Sequence, residues 1–216
     1  MHWRLLVDVP PDDLRQVLQI ARRRTFERGE VVFHQDDPAD SLHLVSSGRF
    51  AARVRTPLGE TTLLAIYGPG EAFGELALVS PPGPRSATVA ALEPAETHSV
   101  FGEDFARLRK QQPGVDRVLL CLLAAEIRRM NQLLLEAHYV DADTRVRRRL
   151  RELAALYGRE GSATIPLTQE EIAEIAGTSR ATVNRVLREE EKRGTVELHR
   201  GRTLVLDAEH IAGRVA

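Results

Sequence analysis

Glu75 and Arg85 stand ten positions apart, in two short segments, residues 73–78 (FGELAL) and 85–88 (RSAT), separated by a proline-rich loop (SPPGP). Arginine can grip an oxyanion through two parallel hydrogen bonds. If residues 74–76 open a short helix, its free amides point at that anion, and the missing side chain at Gly74 lets the anion approach. A carboxylate at Glu75 repels a bare phosphate but accepts hydrogen bonds from a sugar hydroxyl. Together the two groups suit a nucleotide with ribose and phosphate on adjacent sides. A Glu75-Arg85 salt bridge in a loop is the plainer alternative, because exposed pairs of that kind are common and weak.

A second constellation occupies residues 168–193 (TQEEIAEIAGTSRATVNRVLREEEKR). Thr168 with Glu171 is a capping box, so a helix starts there, buries Ile172, Ala173 and Ile175, and runs out at Gly177. Small Ala173, a left-handed turn at Gly177 and Val183 on the next helix have the spacing of a helix-turn-helix. With a cap at Thr178 or Ser179, the second helix turns Val183, Val186 and Leu187 inward. Arg180, Ala181, Asn184, Arg185 and Arg188 then share one open face. Such a face fits a DNA major groove, although a helical hairpin with a solvated arginine face is the commoner object. Residues 195–207 (TVELHRGRTLVLD) favour the groove, because they alternate as two strands around Arg200-Gly201-Arg202, a wing with a basic tip.

The elements that must position these groups are legible in turn. Leu14, Val17, Leu18 and Ala21 space an amphipathic helix over residues 10–22. From 23 to 100 the runs EVVFHQ, SLHLVSSG, FAARVRT, TTLLAIY, SATVAAL and ETHSVF are separated by turn signals at Gly29, Asp36-Asp37-Pro38, Gly48, Leu58-Gly59 and Pro69-Gly70. That rhythm predicts a compact all-β barrel or sandwich. After a short helix and hinge at 102–112, Pro113 opens the longest helical segment, which ends near Val140. Leu120, Leu123, Ile127, Met130, Leu134 and Ala137 recur along it at the three-four spacing of a coiled-coil seam. Two half-sites of a DNA palindrome demand a two-fold protein, and a parallel helix pair supplies one. Residues 139–144 read as a hinge capped by Asp141 or Asp143. The helix at 145–157 has an apolar stripe (Val146, Leu150, Leu153, Leu156) and a basic stripe read as a solvated face.

The 216 residues suffice for one large or two small domains, with 43% hydrophobic and 28% charged residues marking an ordinary globular composition. Net charge is −1, yet from Thr144 onward 14 Lys and Arg face 11 Asp and Glu, so basicity gathers in the segment with the helix-turn-helix. No apolar run is long enough for a bilayer, and charges fill the N-terminal stretch where a secretion signal needs apolar residues. A cytoplasmic protein is expected. One cysteine, Cys121, read as a buried helix residue, excludes an internal disulfide and any cysteine-based cluster within one chain. His34, His43 and His98 are too widely spaced to favour a metal site, so a cupin-like metalloprotein with a DNA-binding tail is a remote alternative. No nucleophile-base pairing marks an enzyme.

The order of these parts, a β domain with FGEL and PRSA, a long helix, a hinge and a winged helix-turn-helix, resembles the Crp/Fnr family of transcription regulators, most nearly its cyclic-AMP receptor branch. Family glycines fall on Gly48, Gly59, Gly70 and Gly74. The resemblance implies an α+β fold: a cyclic-nucleotide-binding β-roll of jelly-roll type over residues 1–112, a dimerisation helix over 113–140 and a winged helix-turn-helix over 141–216. It implies a homodimer on a palindromic double-stranded DNA site, RNA polymerase as a further partner, no membrane and no prosthetic group. Cyclic AMP is the effector it favours; another cyclic nucleotide, or a regulator independent of ligand, are the alternatives. The iron-sulfur branch is excluded by the cysteine count.

Carried over by position, Glu75 meets the ribose hydroxyl, while Gly74, Arg85, Ser86 and Ala87 meet the cyclic phosphate, with Leu76 and Ala77 completing the cassette. Met130 and Asn131 meet the base at the dimer seam. There the cyclic-AMP receptor has two hydroxyl residues, whereas Met130 can only pack and Asn131 can hydrogen-bond. A family arginine near the phosphate falls on Glu126. Arg180 and Arg185 match base-reading arginines, suited to guanine O6 and N7. Ala181 replaces a glutamate and can touch only a thymine methyl. Thr168, Gln169, Ser179 and Thr182 are expected to contact phosphates and so fix register.

Overall fold

Eight antiparallel strands form among the described residues of the β region: β1 (Arg22–Phe26), β2 (Val31–Phe33), β3 (Ser41–Ser47), β4 (Phe50–Arg55), β5 (Thr61–Tyr67), β6 (Ala72–Phe73), β7 (Thr88–Ala91) and β8 (Ala95–Phe101). They pair as two four-stranded sheets, in the orders β1-β8-β3-β6 and β2-β7-β4-β5. In the computed structural model, residues 6, 9–55, 61–79, 83–158 and 162–211 are described; the expected turn at Leu58-Gly59 and part of the proline-rich loop lie outside them. The two sheets share one core, in which Phe26, Val45, Phe73 and Ala95 from the first meet Phe50, Ala52, Val89 and Ala91 from the second. A sandwich is how two half-apolar sheets both leave water.

β3 is buried on both of its faces. Val45 faces the sandwich interior, while Leu42 and Leu44 face the other way, into a second core with Val17, Phe105, Leu108, Val115, Val118 and Leu122. Those residues come from α1 (Pro11–Ile20), α2 (Gly102–Gln111), a short 3-10 turn at Pro113–Val115, and the start of α3 (Asp116–Tyr139). The expected first helix is thus shorter than its pattern: it stops at Ile20, and Arg22 already begins β1. Its run RRRTF has no alternation to betray a strand. Arg22 pairs instead with Asp104 and Arg23 with Glu96, and such charges keep an edge strand from recruiting another chain.

The chain divides into two units, residues 1–130 and 131–216, and the division falls inside α3. In the second unit, α4 (Ala142–Tyr157), α5 (Gln169–Ala176) and α6 (Arg180–Lys192) bury Val146, Leu150, Ile172, Val183, Val186 and Leu187. Asp141, one of the two capping candidates, accepts from the Thr144 amide to start α4. The wing has three strands where the alternation showed two: β10 (Val196–His199), β11 (Arg202–Val205) and, on the far side of β11, β9 (Ala163–Ile165).

The basic stripe of α4 is a correction to the sequence reading. Arg147 and Arg149 are 9% and 8% exposed and serve as internal counter-ions. Arg147 donates to Glu190 at 2.7 Å and to Glu189 at 2.6 Å; Arg149 pairs with Glu136 and Glu152. Glu190, fully buried, also accepts from Arg193 and from the Thr195 hydroxyl. A buried carboxylate survives only when its lone pairs are taken in this way.

Candidate functional site

The anion grip is built around Arg85, only 3% exposed. Its backbone is tied to the 36–37 turn, with the Arg85 amide donating to the Asp37 carbonyl at 2.8 Å and its carbonyl accepting from Asp36 at 2.9 Å. The guanidinium lies 3.8 Å above the Phe33 ring. One terminal nitrogen donates to the Ser41 carbonyl at 2.8 Å; the other donates to Asp40 at 2.7 Å and to the Ser41 hydroxyl at 3.1 Å. Nε is buried and has no partner. A buried guanidinium with an idle donor is an unfilled demand for an acceptor. Burial works against the Asp40 carboxylate, but the Ser41 hydroxyl and Arg85 overcome it and hold its pKa below the usual range.

Gly74 belongs to the same site, for a different reason than ligand approach. Its backbone is left-handed (φ 80°), and a Cβ there would lie 2.7 Å from Arg85 Nη1 and 2.8 Å from the Ser41 carbonyl. The glycine makes room for the arginine. The segment after it is a four-residue 3-10 turn, Glu75–Leu78, in which the Ala77 amide is already bonded back to the Gly74 carbonyl. Glu75 does not pair with Arg85, so the plain loop salt bridge is absent. Burial raises the Glu75 pKa above the ordinary carboxylate range, and neighbouring Glu126 adds to the rise.

Of the other cassette residues, Ala77 and Ala87 are buried, and Leu76 and Ser86 are exposed. Met130 is 58% exposed, and Asn131 is exposed as well. Two α3 residues absent from the candidate set bear on Glu75. Arg129 donates twice to Glu126, at 2.9 and 2.6 Å, and both act electrostatically on Glu75 and on Tyr67. Burial pushes the Tyr67 phenol up to about 12. The hydrogen bonds that Arg129 donates to Glu126 raise its pKa. A weak clue lay in the sequence: the Glu-x-x-Arg spacing that puts both on one helix face.

The second candidate surface lies on the other unit. Thr168 and Glu171 form the predicted capping box, Gly177 is left-handed at φ 59°, and Ser179 caps α6 by accepting from the Thr182 amide. Arg180, Ala181, Asn184, Arg185 and Arg188 are all exposed, with Thr182 half-buried beside them. Gln169 reaches Asn184 at 3.4 Å. A cleft of about 480 Å³ runs between this helix pair and the wing tip, lined by Thr168, Gln169, Arg180, Arg200 and Arg202 among others. Arg180 makes no ion pair with the described residues. Arg185 is gripped by Asp143 through two bonds of 2.5 and 2.6 Å, which raise its pKa, and touches Glu189 at 3.3 Å.

Among the described residues no group of three or more His, Cys, Asp or Glu could hold a metal ion, and no helix is long and apolar enough to cross a membrane. Cys121 is free and half-buried.

Comparison with known proteins agrees with this division. The cyclic nucleotide-binding domain family matches residues 23–112, and the Crp-like helix-turn-helix domain family matches residues 144–213. The chain is 36% identical over 193 residues to a CRP-like cAMP-activated global transcriptional regulator of Mycobacterium tuberculosis, covering 88% of this chain and 86% of that protein. It is 36% identical over 200 residues to the cyclic AMP receptor protein of Thermus thermophilus, covering 92% and 90%. Among solved structures, Thermus thermophilus catabolite activator protein matches with a TM-score of 0.54 at 32% identity, over 96% of this chain and 95% of that one. FixK2 from Bradyrhizobium japonicum shares the fold, with a TM-score of 0.75 at 19% identity, over 89% and 96%.

Proposed function

The chain belongs to the Crp/Fnr family of transcription regulators, and from that premise we propose that it is a homodimer whose binding to palindromic DNA is controlled by a cyclic nucleotide, with cyclic AMP first among the effectors. The observation that carries the effector reading is the buried Arg85 guanidinium with its idle Nε, cradled by Gly74 and Ser41, beside a sheltered Glu75. Phosphate takes the arginine and a ribose hydroxyl donates to Glu75. The raised Glu75 pKa suits a site that waits for a hydrogen-bond donor.

Dimerisation is supported by the apolar surface of α3. Leu120, Ile127, Met130, Leu134 and Leu135 are 58 to 64% exposed, and a run of apolar side chains at seam spacing is covered most simply by the same run on a second copy. An effector bound against α3 then favours one pairing of the two helices over another, and that difference in affinity is what control of DNA binding requires. Arg180 and Arg185 read guanines, Thr168, Gln169, Ser179 and Thr182 contact phosphates, and RNA polymerase is the partner through which a bound dimer acts.

Calorimetry on the purified protein tests this. Cyclic AMP should bind the wild type, cyclic GMP more weakly, and Arg85→Leu should bind neither; nucleotide binding unchanged by Arg85→Leu refutes the pocket. A second reading rests on Asp40, which already supplies Arg85 with a carboxylate. That internal counter-ion suits a regulator needing no effector, and full-strength operator binding without added nucleotide would establish it.

A further inference from the structure

His43 sits in the interior of the β sandwich, wholly buried, where an aliphatic side chain would be ordinary. Its ring stacks on Phe73 at 5.1 Å with only 7° between the planes, and Phe73 immediately precedes Gly74. Around its edge are three hydroxyls. Nε2 lies 3.2 Å from Ser41 Oγ, and Nδ1 lies 3.1 Å from Thr97 Oγ1 and 3.0 Å from Ser99 Oγ. Of these four residues only Ser41 reaches Arg85; His43, Thr97 and Ser99 touch neither the guanidinium nor the helix-turn-helix.

The donors and acceptors can be assigned by elimination. Ser41 has one hydroxyl proton, and it goes to Asp40 at 2.7 Å. The Ser41 oxygen already accepts from Arg85 at 3.1 Å, so its contact with His43 needs a donor on the imidazole side. His43 therefore carries its proton on Nε2, and Nδ1 accepts. Only one lone pair is available there, so one hydroxyl of Thr97 and Ser99 donates to it, and the 3.3 Å contact between the two links the other. Burial, above all, with the positive charges of Arg85 and Arg24, pushes the His43 pKa down to about 3, so the ring stays neutral and the assignment holds across the working pH range.

We propose that His43 is a positioning residue for effector binding: its Nε2 proton fixes the Ser41 hydroxyl, and Ser41 with Asp40 holds the Arg85 guanidinium at the angle that leaves Nε open to a phosphate. The inference rests on the effector reading of Arg85. Ser41 touches Arg85 through both its carbonyl and its hydroxyl, so a rotation of the hydroxyl changes half of that grip. Without the imidazole donor the Ser41 oxygen loses one of its two incoming bonds. The chain of hydrogen bonds then ends at Ser41 instead of running back to β8.

The experiment is calorimetry with cyclic AMP on wild type, His43→Phe, His43→Gln and Ser41→Ala, with nitrogen-15 NMR of the imidazole. Phe keeps the stacking on Phe73 and removes both ring nitrogens, and it should weaken cyclic AMP binding by about tenfold, the loss of one hydrogen bond to a polar network. Gln supplies an amide donor and should recover most of that. Ser41→Ala combined with His43→Phe should lose no more than Ser41→Ala alone, because both act through one hydroxyl. NMR should show a neutral ring protonated at Nε2. A ring protonated at Nδ1, or His43→Phe binding as tightly as wild type, overturns the proposal while leaving the pocket intact. Wild type that binds no cyclic AMP overturns the proposal and the effector reading together.

Discussion

Replacing Gly74 with alanine tests the anion site at its tightest point. The residue has φ 80° and ψ 22°, and an added Cβ would stand 2.7 Å from Arg85 Nη1 and 2.8 Å from the Ser41 carbonyl oxygen. The left-handed backbone alone costs a residue with a Cβ about 1–2 kcal/mol. The carbonyl belongs to β3, which is locked between two cores, so residue 74 must back away from it, and the guanidinium must move as well. Its bond to Ser41 is then lost, a charge-assisted bond of about 1.5–3 kcal/mol. The backbone cost falls on folding, whether or not an effector is present. The displaced guanidinium is felt by the effector, so cyclic AMP binding should weaken by roughly 10- to 150-fold. Calorimetry well below the melting transition separates the two, with a thermal melt without nucleotide reporting the first. Gly177→Ala is the control: that glycine is also left-handed, at φ 59°, but its Cβ would meet nothing within 4 Å. It should lower the melting temperature and leave nucleotide affinity alone. Gly74→Ala with wild-type affinity would show that the guanidinium is not held where the effector needs it.

Two further outcomes concern DNA and assembly. Ala181→Glu should create a preference for cytosine at one position of each half-site, worth about 1–3 kcal/mol over the other bases, because a carboxylate accepts from the cytosine amine where a methyl cannot; binding to a panel of single-base operator variants reads it directly. Ile127→Glu with Leu134→Glu places two charges on α3 where the side chains are 58% exposed, and should turn the proposed dimer into a monomer by light scattering without unfolding the β sandwich; a dimer that persists means the seam lies elsewhere.

Period and punctuation made most of the fold legible. Alternation located eight of the strands, six in the β region and two in the wing, and the glycines at 48, 70 and 177, each with positive φ, marked turns that only a residue without Cβ takes easily. The helix-turn-helix was readable in detail because its signals are local: a capping box four residues wide, a left-handed glycine and a serine cap. Three elements escaped for one common reason, that their strand character comes from partners and not from pattern. β1 is a run of arginines held to β8, β6 is two residues long, and β9 joins the wing from a distant segment.

The candidate site shows the same limit in its side chains. Glu75, Gly74 and Arg85 could be chosen by type and spacing, but Asp40, Ser41 and His43 could not, because nothing in a single sequence states that residues 40–43 lie against residue 85. The error over α4 has the same origin. RVRRRLRE looks like a solvated face until Glu136 and Glu190 are brought against it, and a buried carboxylate is as silent in the sequence as a buried arginine. These ion pairs also bear on how a chain with net charge −1 can approach DNA. Arg147 and Arg149 spend their charge internally, so among the described residues the positive field at the groove comes chiefly from Arg180, the wing tip at Arg200 and Arg202, and Arg185 once it leaves Asp143. With so few free cations, phosphate attraction is modest. The salt dependence of operator binding should accordingly be shallow for the proposed dimer, and specificity should fall more heavily on the base contacts proposed for α6.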